Sequence, residues 1–240
     1  MAIIRLPSVD STNRYCEALD LAQVEDFTCY WALEQTAGIG QRGNTWASEA
    51  GENLTFSLVL KPTWLAAIDQ FRLTQMLSLA LTDTLSAFNF QLSTKIKWPN
   101  DIYVDGKKIC GILVSNRLVG NNLASAICGI GFNVNQRVFP DWVPHPTSLS
   151  LLTGETYELE PMLNRLLTCI QRRYDALHNG EDMETEYLSH LMNLGVAAHY
   201  RHNGRELTAT VTGVDRHGRL MLDTTDGEKL VCAMKEIEFI

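Results

Sequence analysis

The chain contains a glycine-rich segment that could surround an anionic ligand. Residues 38–43 read GIGQRG and are followed by Trp46. Backbone N–H groups that glycine leaves unshielded can surround an anion, and the Arg42 guanidinium can add a charge-assisted fork to a phosphate or carboxylate. The Trp46 ring offers a flat face on which a base can stack. The alternative is a mobile surface loop in which Trp46 anchors the core.

This segment is also a literal G-x-G-x-x-G, the fingerprint of dinucleotide-binding folds. In those folds the loop must open a helix within a β-α-β unit. Here residues 44–60 contain Gly51 and then the strand-like run NLTFSLVL, without a helical period. We therefore reject a dinucleotide site of that kind.

A second segment places charged side chains on either side of a predicted hairpin turn. KWPND (residues 97–101) is followed by the turn signal Asp105-Gly106 and then by KKICG (residues 107–111). A hairpin that turns at this dipeptide would place Asp101 opposite Lys108. A surface ion pair, which stabilises a protein little, is the alternative.

The third segment is GIGFNVN at residues 129–135, which ends an apolar run. Its two glycines permit close approach by another backbone or by a ligand. The Asn133 amide offers both donors and an acceptor. Taken alone, a bulge at the end of a strand would be the preferred interpretation.

Periodicity and turn residues predict the elements that position these segments. The capping types Ser11-Thr12-Asn13 predict a helix of about three turns, and apolar residues at helical spacing predict a long helix over residues 69–88. A helix opening at Pro161 and a shorter one over residues 183–193 follow. After Gly195, short β-rich runs predict a small all-β module, which we expect to be barrel-like. Other predicted strands cover residues 28–34, 53–60, 94–98, 101–104, 108–115 and 123–131.

The composition excludes several classes of protein. With 240 residues, 45% of them hydrophobic, the chain can form one large domain with a small appendage, and it is neither disordered nor collagen-like. A net charge of −8 argues against binding to a long phosphate backbone, although a few local cations can still bind a small anion. The six cysteines are scattered singly, which predicts reduced thiols. No signal peptide or spanning stretch is evident, so we expect a soluble, cytoplasmic protein.

Together the three segments resemble those of one family, the biotin protein ligases, and specifically the biotin–[acetyl-CoA-carboxylase] ligases. The resemblance covers nearly the whole chain. KWPND with the downstream lysine and glycine is highly specific, whereas the glycine-rich loop alone is a weak signal. The matching residues are Ser11-Thr12-Asn13, Gln35, GIGQRGNTW (38–46), KWPND (97–101), KICGIL (108–113), GIGFNVN (129–135) and GVDRHGRLML (213–222).

The resemblance implies a fold, a division into domains and an activity. The implied fold is α+β, with a mixed sheet flanked by helices as in class II aminoacyl-tRNA synthetases and a small C-terminal SH3-like β-barrel. The implied domains are a catalytic domain over residues 1–194 and a β domain over residues 195–240. The implied reaction uses ATP and biotin to form biotinyl-5′-AMP and pyrophosphate, and then biotinylates a lysine of a biotin carboxyl carrier protein. Mg²⁺ is the implied cofactor, and the resemblance assigns it no ligands.

Site roles follow from the resemblance, position by position. Lys108 would reach the biotin carboxylate and stabilise transition-state charge, Arg42 would hold the phosphate, and Asp101 would line the nucleotide and metal side. These three are the implied catalytic residues, because the chemistry needs positioning and charge stabilisation rather than an enzyme nucleophile. The implied biotin-binding residues are Ser11, Thr12, Asn13, Gln35, Ile39, Gly40, Gln41, Lys108 and Gly111. The implied ATP-binding residues are Arg42, Gly43, Asn44, Trp46, Asn100, Asp101 and Asn133, with Trp46 covering the adenine.

The chain departs from the family in two respects. Many members carry arginine at the positions of Ile39 and Gln41. The neutral amide of Gln41 replaces a cation, and we hypothesise that this change loosens retention of the adenylate. In addition, ten residues precede Ser11, too few for the DNA-binding helix-turn-helix of the repressor members, so we expect no DNA partner.

Two other functions remain open at this point. A lipoate or octanoate ligase shares the acyl-transfer logic, and a non-catalytic biotin or nucleotide sensor shares the binding residues. KWPND and the Ser-Thr-Asn set favour biotin, because the dithiolane of lipoate has no ureido group, while Arg42 and Lys108 favour an enzyme. Strands near residues 108–115 and 123–131 could pair in a homodimer or dock the carrier, and the sequence does not choose between these roles.

Overall fold

The computed structural model describes residues 2–86, 88 and 93–240, and within these ranges the side chain of Arg42 is outside the description. The strands of a first sheet are β1 (Ala2–Leu6), β2 (Thr28–Ala32), β3 (Leu54–Leu60), β4 (Thr94–Lys97), β5 (Asp101–Val104), β6 (Lys107–Val119) and β7 (Asn122–Phe132). Their order across the sheet is β1-β2-β3-β7-β6-β5-β4. β1 and β2 pair in parallel and the other neighbours pair antiparallel, so the sheet is mixed.

Helices cover both faces of this sheet. They are α1 (Thr12–Glu17), α2 (Phe71–Ser86), α3 (Leu149–Thr153), α4 (Leu159–His178) and α5 (Glu184–His190). α2 and α4 pack together over the main core, which includes Leu58 of β3, whereas α1 packs over a smaller cluster that includes Val59. Successive side chains of a strand point to opposite faces. β3 is therefore buried along its whole length, as expected for a central strand with both faces covered.

A second, antiparallel sheet follows near the C-terminus. Its strands are β8 (Ala197–His202), β9 (Arg205–Val214), β10 (Leu220–Thr224), β11 (Lys229–Cys232) and β12 (Ile237–Phe239), in the order β11-β10-β9-β8-β12. Trp98 Nε1 donates a buried hydrogen bond to Gly218 O at 3.0 Å, and Arg216 pairs with Asp69 at 2.6 Å. These contacts hold the second sheet against the first.

Two predicted helices are longer than the observed ones. α1 ends at Glu17 rather than after three turns, because the chain turns back to bury Leu21 against Tyr30. α5 ends at His190 because Leu191 is extended and bridges Ile96 beside β4.

Other boundaries differ in ways that local chemistry explains. α4 begins at Leu159, two residues before Pro161, and the proline is tolerated there because the first helical N–H groups have no intrahelical partner. The short helix α3 was not predicted, although Ser148 caps it by accepting a hydrogen bond from the Leu151 N–H, and Gly154 ends it with φ of 81°. The strand β1 was also not predicted. The helix predicted over residues 69–88 includes residue 87, which lies outside the described residues.

The predicted hairpin turn and the predicted free thiols are confirmed. Asp105 and Gly106 have φ of 49° and 72°, the pair of positive angles that a two-residue type I′ hairpin requires. All six cysteines are free thiols, and five are buried. Among the described residues, no helix combines the length and the apolarity needed to cross a membrane.

Candidate active site

A cavity of about 440 Å³ lies where the two sheets meet. Its walls come from the start of α1, the loop over residues 35–46, the β4–β5–β6 segments, the glycines of β7 and the last strand β12. The sheet order places β2 and β3, with α1 packed against them, toward one end, and β6, β5 and β4 toward the other. The two ends differ in their chemistry.

The end beside β2 and β3 is neutral and densely hydrogen-bonded. Ser11, Thr12 and Asn13 are buried there at the start of α1. The Thr12 N–H donates to Gln35 Oε1 at 2.7 Å, and the Thr12 hydroxyl lies 3.1 Å from the same oxygen. Ser57 of β3 donates to Asn13 Oδ1 at 2.6 Å and lies 2.8 Å from Thr12 Oγ1. These five side chains supply hydroxyl and amide groups, and none is charged.

Asn13 fits at this end because the facing residue of β7 is glycine. Asn13 Nδ2 donates to Leu113 O of β6 at 3.3 Å. A Cβ at Gly129 would overlap Asn13 Oδ1 and would lie 2.8 Å from Asn13 Cγ. Residue 129 must therefore lack a side chain for Asn13 to reach both Ser57 and Leu113.

The opposite end contains an ion pair. Lys108 Nζ lies 2.6 Å from Asp101 Oδ2, and both side chains are partly exposed. The predicted contact is confirmed, but the predicted direct opposition of these residues is wrong. Lys108 pairs with Tyr103, as a two-residue turn at 105–106 requires, and Asp101 pairs with Gly111 because an irregularity between Ile102 and Tyr103 shifts the register by one residue. The two side chains meet across the ladder rather than in one register pair.

Lys97, the last residue of β4, lines the same end of the cavity. Its Nζ lies 5.6 Å from the Tyr103 ring centroid and 5.3 Å from the Phe239 ring centroid of β12. Burial lowers the pKa of Lys97, with Asp101 opposing this effect and Lys108 adding to it. Burial also raises the pKa of Tyr103 to about 12, and Asp101 adds to this effect, so the phenol is neutral at pH 7.

Buried hydrogen bonds hold the segment between β4 and β5. Besides the bond from Trp98 to the second sheet, Tyr187 OH of α5 donates to Pro99 O at 2.8 Å. Asn100 Nδ2 donates to Ile112 O of β6. The positions of the charged residues on either side of this segment therefore depend on both sheets and on α5.

The glycine-rich loop closes on itself. Residues 41–43 form a single 3₁₀ turn. The Gly40 N–H donates to Asn44 O at 2.7 Å, and the Trp46 N–H donates to Gly38 O at 2.9 Å. These two N–H groups are satisfied within the loop, so an anion bound here needs other donors.

The Trp46 ring lies in the cavity against glycines of neighbouring strands. A Cβ at Gly131 of β7 would overlap the indole, and a Cβ at Gly111 of β6 would lie 3.0 Å from it. Lys108 Nζ is 5.6 Å from the Trp46 ring centroid. Within the described part of the chain, Trp46 Nε1 is buried without a hydrogen-bond partner. The ring is thus positioned to contact a ligand, and its role toward adenine stays a prediction.

Most of the predicted site residues line this cavity. They are Ser11, Thr12, Asn13, Gln35, Ile39, Gly40, Gln41, Asn44, Trp46, Asn100, Asp101, Lys108 and Gly111. Gly43 and Asn133 do not line it, and the buried Asn133 instead donates from Nδ2 to Thr147 O at 3.0 Å. The side chain of Arg42 is outside the description, so its phosphate contact stays a prediction.

Known proteins share this sequence pattern. A sequence model described as the biotin/lipoate A/B protein ligase family matches residues 6–133, more than half of the chain. The chain belongs to this family. It is 31% identical over 237 residues to the biotin–[acetyl-CoA-carboxylase] ligase of Paracoccus denitrificans, covering 95% of this chain and 97% of that protein. It is also 30% identical over 230 residues to the bifunctional ligase/repressor BirA of Bacillus subtilis (strain 168), covering 93% of this chain and 70% of that protein.

Solved structures of the family share the fold. The biotin protein ligase from Aquifex aeolicus in complex with biotin and ATP has a TM-score of 0.82 and 26% identity, covering 100% of this chain and 98% of that one. The predicted resemblance to the biotin protein ligases and the predicted α+β fold class are therefore confirmed.

Several contacts at the site were not predicted from the sequence. Ser57 and Thr55 are the two hydroxyl residues of the otherwise apolar strand β3, and these hydroxyls were the available signal for a polar contact. Lys97 lies within KWPND as one of its charged side chains, but its aromatic neighbours Tyr103 and Phe239 were not predicted. Ile237, Glu238 and Phe239 line the cavity from the last strand, and no local pattern marks them, because they reach the site only through the docking of the second sheet.

Proposed function

We propose that the chain is a biotin–[acetyl-CoA-carboxylase] ligase, which activates biotin with ATP and transfers it to a lysine of a biotin carboxyl carrier protein. The observation that supports this most is one cavity with a neutral, hydrogen-bonding end and a cationic end. A ligand with a neutral polar ring and a carboxylate matches that division. Biotin has both groups.

The neutral end suits the ureido ring of biotin. That ring presents N–H donors and a carbonyl acceptor, and the hydroxyl and amide groups of Ser11, Thr12 and Gln35 can pair with both kinds. A site built from such groups rejects ligands that leave them unpaired. The dithiolane ring of lipoate has no N–H or carbonyl group, so the structure gives no support to the lipoate alternative.

The spacing of the strands places the neutral and cationic ends of the cavity at a distance that a biotin molecule can span. Ser57 lies on β3 and Lys108 on β6, with β7 between them. At a spacing of about 4.8 Å per strand, the two outer strands are about 10 Å apart. The extended acyl chain of biotin can span this distance, which would bring its carboxylate to the Lys108 ammonium.

In the first step, a carboxylate oxygen of biotin attacks the α-phosphorus of ATP. The new O–P bond forms as the bond to the bridging β-phosphate oxygen breaks, and that electron pair leaves with pyrophosphate. Lys108 lies where negative charge is redistributed, so it stabilises the transition state electrostatically. Asp101 orients the ammonium through the 2.6 Å ion pair.

In the second step, the amine of the carrier lysine attacks the acyl carbon of biotinyl-5′-AMP. AMP leaves with the electron pair of the C–O bond, and the amine releases its proton to solvent. The cysteines of β6 and β7 are poor nucleophiles for a covalent route, because burial raises the pKa of Cys128 to about 12 and that of Cys110 well above its usual range. Direct transfer to the carrier needs neither thiol.

The carboxylates of the cavity are compatible with Mg²⁺ that arrives with ATP. The described residues contain no group of three or more His, Cys, Asp or Glu side chains that could hold a metal ion. Mg²⁺ in nucleotide sites is commonly held by one or two carboxylates together with substrate phosphates. Asp101 lines the cavity and fits that requirement. When bound, the ion supplies neutralisation of phosphate charge.

Biotin-dependent ATP–pyrophosphate exchange tests the proposal. We expect Lys108→Ala to reduce exchange by roughly 10²–10³-fold, the usual effect of removing one charge-stabilising group. Lys107→Ala is the matched control, since that lysine is exposed at the same hairpin and does not line the cavity. Tight biotin binding by the wild type without exchange would identify a sensor, and wild-type exchange by Lys108→Ala would refute the role of Lys108.

The acceptor and the cellular location belong to the same proposal. The acceptor is a biotin carboxyl carrier protein, and the location is the cytoplasm. Free thiols at all six cysteines are typical of a reducing compartment. Transfer of labelled biotin to a purified carrier domain, with a carrier that lacks its lysine as the control, tests the acceptor.

A further inference from the structure

The second sheet reaches the cationic end of the cavity through its last strand. Phe239 of β12 and Lys97 of β4 both line the cavity. Lys97 Nζ lies 5.3 Å from the Phe239 ring centroid and 5.6 Å from the Tyr103 ring centroid. One aromatic ring from each sheet therefore flanks the ammonium.

The ammonium of Lys97 has no anionic partner in residues 2–86, 88 and 93–240. It forms neither an ion pair nor a hydrogen bond with these residues. Asp101, its register neighbour, pairs with Lys108. Glu238, next to Phe239, pairs with Arg201 at 3.1 Å. Rings hold this cation in the cavity, and its charge is left for a ligand.

We infer that Phe239 is a positioning residue whose ring holds the Lys97 ammonium toward the phosphate groups of the nucleotide. The inference rests on the proposed function, because the ATP-dependent step brings phosphates to this end of the cavity. As the α-phosphorus bond to pyrophosphate breaks, the electron pair leaves with pyrophosphate, and Lys97 neutralises part of that charge. Lys97 contacts the substrate, and Phe239 acts through Lys97.

The second sheet itself fixes the position of the Phe239 ring. β12 pairs with β8, where Phe239 lies opposite Tyr200. The two rings meet edge to face with centroids 5.1 Å apart, and Tyr200 is completely buried. Lysine has a flexible four-carbon stem, so a ring fixed from outside the first sheet restricts where its ammonium can lie. Docking of the second sheet thereby completes the active site.

Steady-state kinetics of pyrophosphate exchange in the full chain test this inference. Phe239→Leu keeps most of the apolar volume and removes the aromatic face, whereas Phe239→Tyr keeps the face. Losing one partly desolvated cation–π contact corresponds to roughly fivefold in affinity, so Phe239→Leu should raise the KM for ATP and for pyrophosphate by about that factor. Phe239→Tyr should restore both values. The KM for biotin should stay within about twofold, because the ligand groups at the neutral end are unchanged.

A double-mutant cycle separates positioning from a loss of stability. Lys97→Met should raise the same two KM values, and adding Phe239→Leu should have little further effect, because residues that act through one contact are not additive. Val211→Ala truncates a buried residue of the second sheet that does not line the cavity, and it serves as the stability control.

Three results would overturn the inference: additive effects of the two variants, an equal rise in the KM for biotin, or the same kinetic change in Val211→Ala. Absence of biotin-dependent exchange in the wild type would instead refute the proposed function.

Discussion

Replacing Gly129 with alanine should displace Asn13 from the neutral end of the cavity. The added methyl group would overlap Asn13 Oδ1 and lie 2.8 Å from Asn13 Cγ. Asn13 is buried, accepts a hydrogen bond from Ser57 and donates one to Leu113 O. It cannot move away from the methyl group without losing at least one of these bonds. The backbone itself would tolerate alanine, since Gly129 is not among the residues with positive φ.

The expected loss of folding free energy is about 3 kcal/mol, from two sources. Overpacking a filled core costs about 1–3 kcal/mol, and a buried polar group left without a partner costs about 1–3 kcal/mol. For a chain of this size, each kcal/mol corresponds to about 2–4 °C, so the Tm should fall by about 6–12 °C. The KM for biotin should rise too, because Asn13 and Thr12 share Ser57 as a neighbour.

Thermal unfolding followed by circular dichroism measures the first effect, and biotin-dependent exchange measures the second. Gly213→Ala is the control, since a Cβ at that strand position meets nothing within 4 Å. Adding Asn13→Ala to Gly129→Ala should recover part of the lost stability, because the overlapping atoms are then gone. A Gly129→Ala protein with the wild-type Tm and the wild-type KM for biotin would refute this account of the neutral end.

Two further predictions concern charge. Gln41 lines the cavity, and Gln41→Arg should slow the release of biotinyl-5′-AMP by roughly tenfold, which corresponds to one added hydrogen bond to a charged group. Rapid filtration of labelled adenylate measures the release rate, and an unchanged rate would contradict the prediction. The Arg216 guanidinium holds the pKa of Asp69 below its usual range by hydrogen bonding, against the opposing effect of burial. The ion pair of Asp69 therefore stabilises the fold fully above the pKa of the carboxyl group in the unfolded chain, about 3.9. This stabilisation is lost as the pH falls through the lower pKa of Asp69 in the folded protein. Asp69→Asn should therefore lower the Tm at neutral pH and match the wild type in strong acid, whereas a gap that is constant with pH would argue against the pairing.

The net charge of the chain is −8, yet lysines line one end of the cavity. Lys97 and Lys108 line that end together with two carboxylates, of which Asp101 pairs with Lys108 and Glu238 pairs with Arg201. Local cations of this kind can attract a small anion even when the whole protein repels it. The composition argues against a long nucleic acid, and the cavity is compatible with a single nucleotide.

The sequence by itself determined the features that depend on neighbouring residues. Asp105-Gly106 specifies its hairpin because both turn positions need positive φ, and this hairpin brings Lys108 to Asp101. Apolar spacing predicted α2 and β3 close to their observed bounds. The helices α1 and α5 were predicted, but their predicted C-terminal ends are wrong, because contacts with distant residues rather than local signals end them.

Only the tertiary structure decided which of these groups act together. Asn13 and Leu113 are 100 residues apart and meet because β6 and β7 follow β3 in the sheet. Phe239 reaches Lys97 because the second sheet docks against the first. Hydrophobic periodicity reports which face of an element is buried, but not which element covers that face. The sequence therefore indicated the chemical groups of the site, but the tertiary structure decided their partners. The strand order of the first sheet brings Ser57 and Gly129 to Asn13, and the docking of the second sheet brings Phe239 to Lys97.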